Sequence, residues 1–147
     1  MKYFLAAAAF LVLISCGKTH EHVDHNDENE GDDPNRALYD QVMIIHDEVM
    51  PKMEDVYNLK KDIVEKIANT PGMAAEKKKE LESMMAKLDS TSDAMMNWMS
   101  EFNPLPDSVD QEKAREYLEN EMERIKRVKD VTAETIEKAK QIIKENQ

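Results

Sequence analysis

From Pro34 onward the apolar residues recur in steps of three and four, and only two clusters of turn residues interrupt them. This spacing places side chains on one face of a helix and is incompatible with the alternation of a strand. The first stretch carries two overlapping rows. One is Leu38, Val42, Ile45, Val49, Val56, Leu59 and Ile63; the other is Tyr39, Met43, His46, Met50, Met53, Tyr57, Val64 and Ile67. Together they predict one helix with a broad apolar face over about 34–69, N-capped by Asp33 with Pro34 at its first position. Asn69-Thr70-Pro71-Gly72 then reads as a turn.

A second helix is expected over 71–102, with Leu81, Met84, Met85, Leu88, Ser92, Met95, Met99 and Phe102 along its seam. Asn103-Pro104-Leu105-Pro106-Asp107 stops it. Ser108-Val109-Asp110-Gln111 has the form of a capping box and opens a third helix over about 109–145. Its seam is Ala114, Leu118, Met122, Ile125, Thr132, Ile136, Ala139 and Ile143. Pro51 lies within the first helix. It lacks an N–H and crowds the carbonyl of Asp47, so a kink is expected where the rows nevertheless continue in phase; a true break into two helices is the competing reading. The fold class is therefore all-α: an antiparallel three-helix bundle, up-down-up, with coiled-coil-like packing over 34–147. In such a hairpin His46 faces Met95, Met43 lies near Met99, and Met50 lies near Thr91 and Ser92.

Composition removes several function classes. Gly17, Gly31 and Gly72 are the only glycines, too few and too scattered for a phosphate-cradling loop. The formal net charge of −11 opposes binding to nucleic acid or docking on an anionic membrane surface. No His-Glu-x-x-His, Gly-x-Ser-x-Gly or Cys/His pairing occurs, so no enzymatic activity and no small-molecule substrate are expected.

The start of the chain points to a location. Lys2 precedes an apolar run from Phe4 to Ile14, too short to span a bilayer, which needs about 20 apolar residues. Residues 1–15 are expected to be a signal peptide. Leu13-Ile14-Ser15-Cys16 resembles the lipobox of bacterial lipoproteins, in which the cysteine is lipidated, and Cys16 is the only cysteine. Cys16 is the expected lipidation site, carrying palmitate-type chains that hold the protein to the membrane. Residues 17–33 contain seven acids, one lysine and one apolar residue, Val23. Residues 16–33 are thus expected to form a lipidated cysteine followed by a disordered acidic tether.

Two sets of residues suit metal ions. His20, His22 and His25 lie among acids in the tether, a short tract of the kind that binds Zn²⁺, Cu²⁺ or Ni²⁺; a plain solubilising spacer is the competing reading. His46, Met43, Met50, Met95 and Met99 form a soft imidazole and thioether set suited to Cu(I). Against it, methionine is a common filler of helical cores, and packing is the favoured reading. Arg124, Lys126, Arg127 and Lys129, interleaved with Glu119, Glu121 and Glu123, could bind an acidic partner, but a solvated face with helical ion pairs is the favoured reading. Trp98 reads as half-buried packing beside Met99.

The segments His46-Asp47-Glu48-Val49-Met50-Pro51-Lys52-Met53 and Ala94-Met95-Met96-Asn97-Trp98-Met99-Ser100-Glu101-Phe102, with the lipobox, carry a further likeness. With them the chain resembles small helical lipoproteins of Bacteroidota-type bacteria, which often bear the automatic label "viral A-type inclusion protein". The resemblance covers most of the chain and implies an envelope lipoprotein without implying an activity. The acids beyond Gly17-Lys18-Thr19-His20 also resemble the tract that exports some such lipoproteins to the cell surface.

The sequence thus predicts a non-enzymatic lipoprotein of the cell envelope, on the outer membrane with its periplasmic or surface side open. It would act as a structural or protein-interaction module, with no cofactor beyond its lipid. The alternative is a periplasmic or surface Cu(I)-binding module built on the Met/His set.

Overall fold

The rows of apolar residues become four helical segments: α1 Arg36–Val49, α2 Lys52–Ala68, α3 Ala75–Glu101 and α4 Gln111–Glu145. The structure, a computed structural model, describes residues 35–145 except Leu105 and Asp107. The chain divides into Met1–Gly31 and Asp32–Gln147, and the description concerns the second unit. The expected signal peptide, Cys16, the tether with His20, His22 and His25, and the cap at Asp33 and Pro34 lie outside the described residues. Among those described there is no strand.

α1 and α2 make up the first rod. Met50 and Pro51 keep right-handed helical dihedrals, with φ −53°, ψ −45° and φ −61°, ψ −26°. Pro51 has no N–H to give, so the ladder is interrupted and re-forms through tighter bonds. The Met53 N–H reaches the Met50 carbonyl at 3.1 Å and the Glu54 N–H reaches the Pro51 carbonyl at 3.3 Å. Met50 and Pro51 thus form a short turn that divides the expected single helix into α1 and α2, while the buried row keeps its phase from Val49 to Val56.

The topology is up-down-up. The Asn35 side chain donates to the Gln111 carbonyl at 2.9 Å and Glu48 pairs with Lys129, so the first rod and α4 run parallel. Glu101 pairs with Arg124, and the Thr91 hydroxyl meets that of Thr135 at 3.2 Å, so α3 and α4 run antiparallel. α1 packs on α4, α2 on both α3 and α4, and α3 on α4.

Seven-residue rows line the interior. Val42, Val49, Val56 and Ile63 face inward from the first rod, and Leu81, Leu88 and Met95 from α3. Leu118, Ile125, Thr132 and Ala139 do so from α4. This 3.5-residue repeat is the coiled-coil pattern, and it keeps each seam on its neighbours along the whole length. α4, with 35 residues, extends about 52 Å at ~1.5 Å per residue.

Two helix starts and the inward register of α3 differ from the expectation. α3 begins at Ala75 rather than 71, because Thr70 to Met73 close a turn in which the Met73 N–H bonds the Thr70 carbonyl at 3.0 Å. α4 is capped by Asp110, not Ser108. The Asp110 carboxylate accepts from the Glu112 and Lys113 N–H groups, each at 3.2 Å, and an acid there also faces the positive end of the helix dipole. On α3, Thr91 and Trp98 are buried where Ser92 and Met99 were expected to be the innermost residues. A strict seven-residue row through Met84, Thr91 and Trp98 accounts for this better than steps of four.

Leu88 and Ile125 are both fully buried. Leu88→Asp and Ile125→Asp should each destabilise the bundle by about 4 kcal/mol or more, because a carboxylate would be left without a partner. Urea unfolding followed by circular dichroism measures this.

Candidate functional site

The residues expected to carry chemistry meet where α1, the C-terminal half of α3 and α4 converge. Val42, Val49, Met95, Trp98, Met122 and Ile125 form a buried cluster, and Met50, Met53 and Met99 pack against it from partly buried positions. Met43 is half-buried and lies outside this cluster. Met95 is fully enclosed.

His46 has an aromatic neighbour on α3, three residues beyond the Met95 that the hairpin register placed opposite it. Its ring lies against Trp98, with centroids 5.8 Å apart. Trp98 in turn stacks on Phe102 at 4.9 Å and 21°, and Phe102 contacts Tyr39 and Tyr117. This aromatic set links α1, α3 and α4 around the indole. Trp98 is only 2% exposed, so the half-buried reading is corrected: the indole is core. Its Nε1–H is buried without a hydrogen-bond partner.

The His46 Nδ1 lies 2.8 Å from the Asp47 carboxylate. A carboxylate accepts, so Nδ1 carries the hydrogen and the Nε2 lone pair is left for another partner. Among the described residues no group of three or more His, Cys, Asp or Glu side chains is placed to hold a metal ion.

The main departure from the sequence reading is Glu121. It was assigned to a solvated face, yet it is 4% exposed. Arg124 donates to one of its oxygens at 2.7 Å and also reaches Glu101 on α3, while the second Glu121 oxygen is buried without a partner. The hydrogen bond to Glu121 raises the Arg124 pKa above its ordinary value, against the opposing effect of burial. The available signal was register: Glu121 precedes Val128 and Thr135 by seven and fourteen residues and so falls on an inward row of α4. Nearby, burial raises the pKa of the Tyr117 hydroxyl, which accepts a 2.7 Å hydrogen bond from the Asn103 N–H. Lys129 also leaves the face assigned to it and joins Glu48 across to α1. The hydrogen bond from its ammonium, followed by its charge, holds the Glu48 carboxyl below the usual range.

These contacts position helices; they gather no nucleophile, base or oxyanion donors around a common point. No protein-family profile, curated protein or solved structure matches this chain. Among the described residues no helix is long and apolar enough to cross a membrane.

Arg124 is one-third exposed and its partner Glu121 is buried, so the two ends of the pair differ in cost. Arg124→Met should destabilise by about 1–3 kcal/mol, because it strands a buried carboxylate. Adding Glu121→Leu should recover most of that loss, and the urea midpoints of the two single variants and the double variant measure the coupling.

Proposed function

We propose that this protein is a lipid-anchored component of a bacterial cell envelope that works through protein contacts rather than catalysis. The observation that carries the reading is Leu13-Ile14-Ser15-Cys16 at the end of a short apolar run, with no other cysteine in the chain. The likeness to small helical lipoproteins supports the same assignment. A thiol at that position has no disulfide partner within the chain, and lipidation gives it a use. Several acyl chains anchor stably where one does not. The acidic stretch that follows suits a self-repelling spacer, which holds a bundle away from an anionic surface. The outer membrane is the proposed site. The bundle itself supplies long, rigid surfaces, which suits an interaction module.

Cys16→Ala should abolish incorporation of labelled palmitate and shift the protein out of the membrane fraction or leave its precursor uncut. A mature N-terminus beyond Cys16, read by mass spectrometry, would defeat the assignment.

A second reading, a Cu(I) site, is favoured by one observation. Asp47 fixes the His46 tautomer with Nε2 as the lone-pair nitrogen, the arrangement that carboxylates impose on metal-binding histidines. If it holds, competition titration gives one tight Cu(I) per chain, and His46→Leu, Met43→Leu or Met50→Leu removes it without loss of helix. If methionine is only packing, the same swaps cost less than about 1.5 kcal/mol and no tight Cu(I) site is seen.

A further inference from the structure

The core takes up only part of the second apolar row of the first rod: Met53 and Ile67 pack against it, and another set of the row lies further out. Met43, Met50, Tyr57 and Val64 follow one another at seven-residue intervals, so they form a single line along the rod. Tyr57 is 69% exposed and Val64 49%, while Met43 and Met50 are half-buried. On α3, Met96 is 53% exposed and Met85 half-buried.

One ion pair shows that the two lines share a groove. Lys60 of α2 reaches Asp89 of α3. Lys60 is three residues from Tyr57 and four from Val64. Asp89 is four from Met85 and seven from Met96. Residues so spaced lie on one helix face. Each line therefore borders the seam between the first rod and α3. The contacts to α4 come from other faces of the same helices: Glu48 reaches Lys129, and Thr91 reaches Thr135. α4 closes one side of the pair, and the apolar lines border the other.

A groove between two helices, rimmed by exposed apolar side chains, has the form of a fourth place in a four-helix arrangement that no described helix fills. From Met43 to Val64 it runs about 30 Å at ~1.5 Å per residue, the length of a helix of about 20 residues. Methionine makes its surface adaptable. Charge selects the occupant. Glu54 and Asp93 border the groove and have no ion-pair partner among the described residues, in a chain of net charge −11. A second copy of the chain would bring the same uncompensated carboxylates together. A helix with lysine or arginine on its polar face would neutralise them.

We infer that the groove between the first rod and α3, on the side away from α4, is a docking site for a basic amphipathic helix of a partner protein. The inference rests on the reading that the chain acts through protein contacts. Lipid attachment at Cys16 is measured separately, so failure of the groove leaves the anchoring standing.

The test uses the full chain carrying Cys16→Ser. The probe is a fluorescein-labelled peptide of about 20 residues, with leucine and lysine at helical spacing, followed by anisotropy. A counterpart has glutamate in place of lysine. The lysine peptide should bind saturably and the glutamate peptide should not. Tyr57→Lys and Met96→Lys should each weaken binding by about tenfold or more, and Glu54→Lys and Asp93→Lys should weaken it as well. Ile44→Lys and Val131→Lys, which add the same charge at exposed apolar positions off these lines, should leave it unchanged. Circular dichroism of each variant establishes that the fold is retained. The inference fails if no saturable binding occurs below about 100 μM, which is weaker than ~−5.5 kcal/mol. It also fails if both peptides bind alike, or if Ile44→Lys and Val131→Lys weaken binding as much as Tyr57→Lys. Sedimentation showing a dimer that Tyr57→Lys dissolves would assign the groove to a second copy and overturn the inference.

Discussion

Burial of one seven-residue row from each rod holds this protein together. Helices gain little from propensity alone, and a long amphipathic helix is stable in a protein because its apolar face is taken out of water. Here Val49, Leu88 and Ile125 are fully buried at successive depths of the seam, and Ile63 and Leu81 continue it at the far end. With so few aromatic residues in the chain, no single side chain dominates; a fully buried leucine or isoleucine contributes about 1.5–3 kcal/mol. The interruption at Pro51 is tolerated for the same reason. The buried row continues through Val49 and Val56 on either side, and its packing holds the rod where one ladder bond is missing.

Polar groups inside the bundle set register rather than chemistry. The Thr91 hydroxyl donates to the Lys87 carbonyl at 2.9 Å as well as meeting Thr135, and the Thr132 hydroxyl donates to the Val128 carbonyl at 2.7 Å. Arg124 joins Glu121 to Glu101 across the α3–α4 seam. Sliding either helix by one residue would strand these groups, which gives a coiled-coil-like packing of adaptable methionines a single alignment. The aromatic set of Tyr39, Trp98, Phe102 and Tyr117 performs a similar service at the end of the bundle where Asn35 meets Gln111.

The bundle is asymmetric in what it covers. α4 packs along both other rods, and among the described residues no helix covers the outer seam between the first rod and α3. The two rows of the first rod thus have different fates. The first supplies most of the buried residues, and the second is divided, with Met53 and Ile67 against the core and Tyr57 and Val64 exposed. The proposed lipid-anchored interaction module would have a use for such a surface.

Much of this was set by the sequence. The step of three and four residues dictates helix, because only a 3.6-residue repeat puts those side chains on one face, and Asn69 to Gly72 and Asn103 to Asp107 dictate where the chain turns. The lipobox resemblance and the solitary cysteine are likewise legible without coordinates. The tertiary structure decided which members of a broad apolar face go inside. Steps of four and steps of seven diverge slowly along a helix, so the choice between Ser92 and Thr91, or Met99 and Trp98, depended on the neighbouring rods. It also decided that Glu121, indistinguishable by composition from Glu119 and Glu123, is buried, and that the His46 ring lies against Trp98. Spacing along one helix fixes which residues share a face. Where that face points is fixed by the helices packed against it.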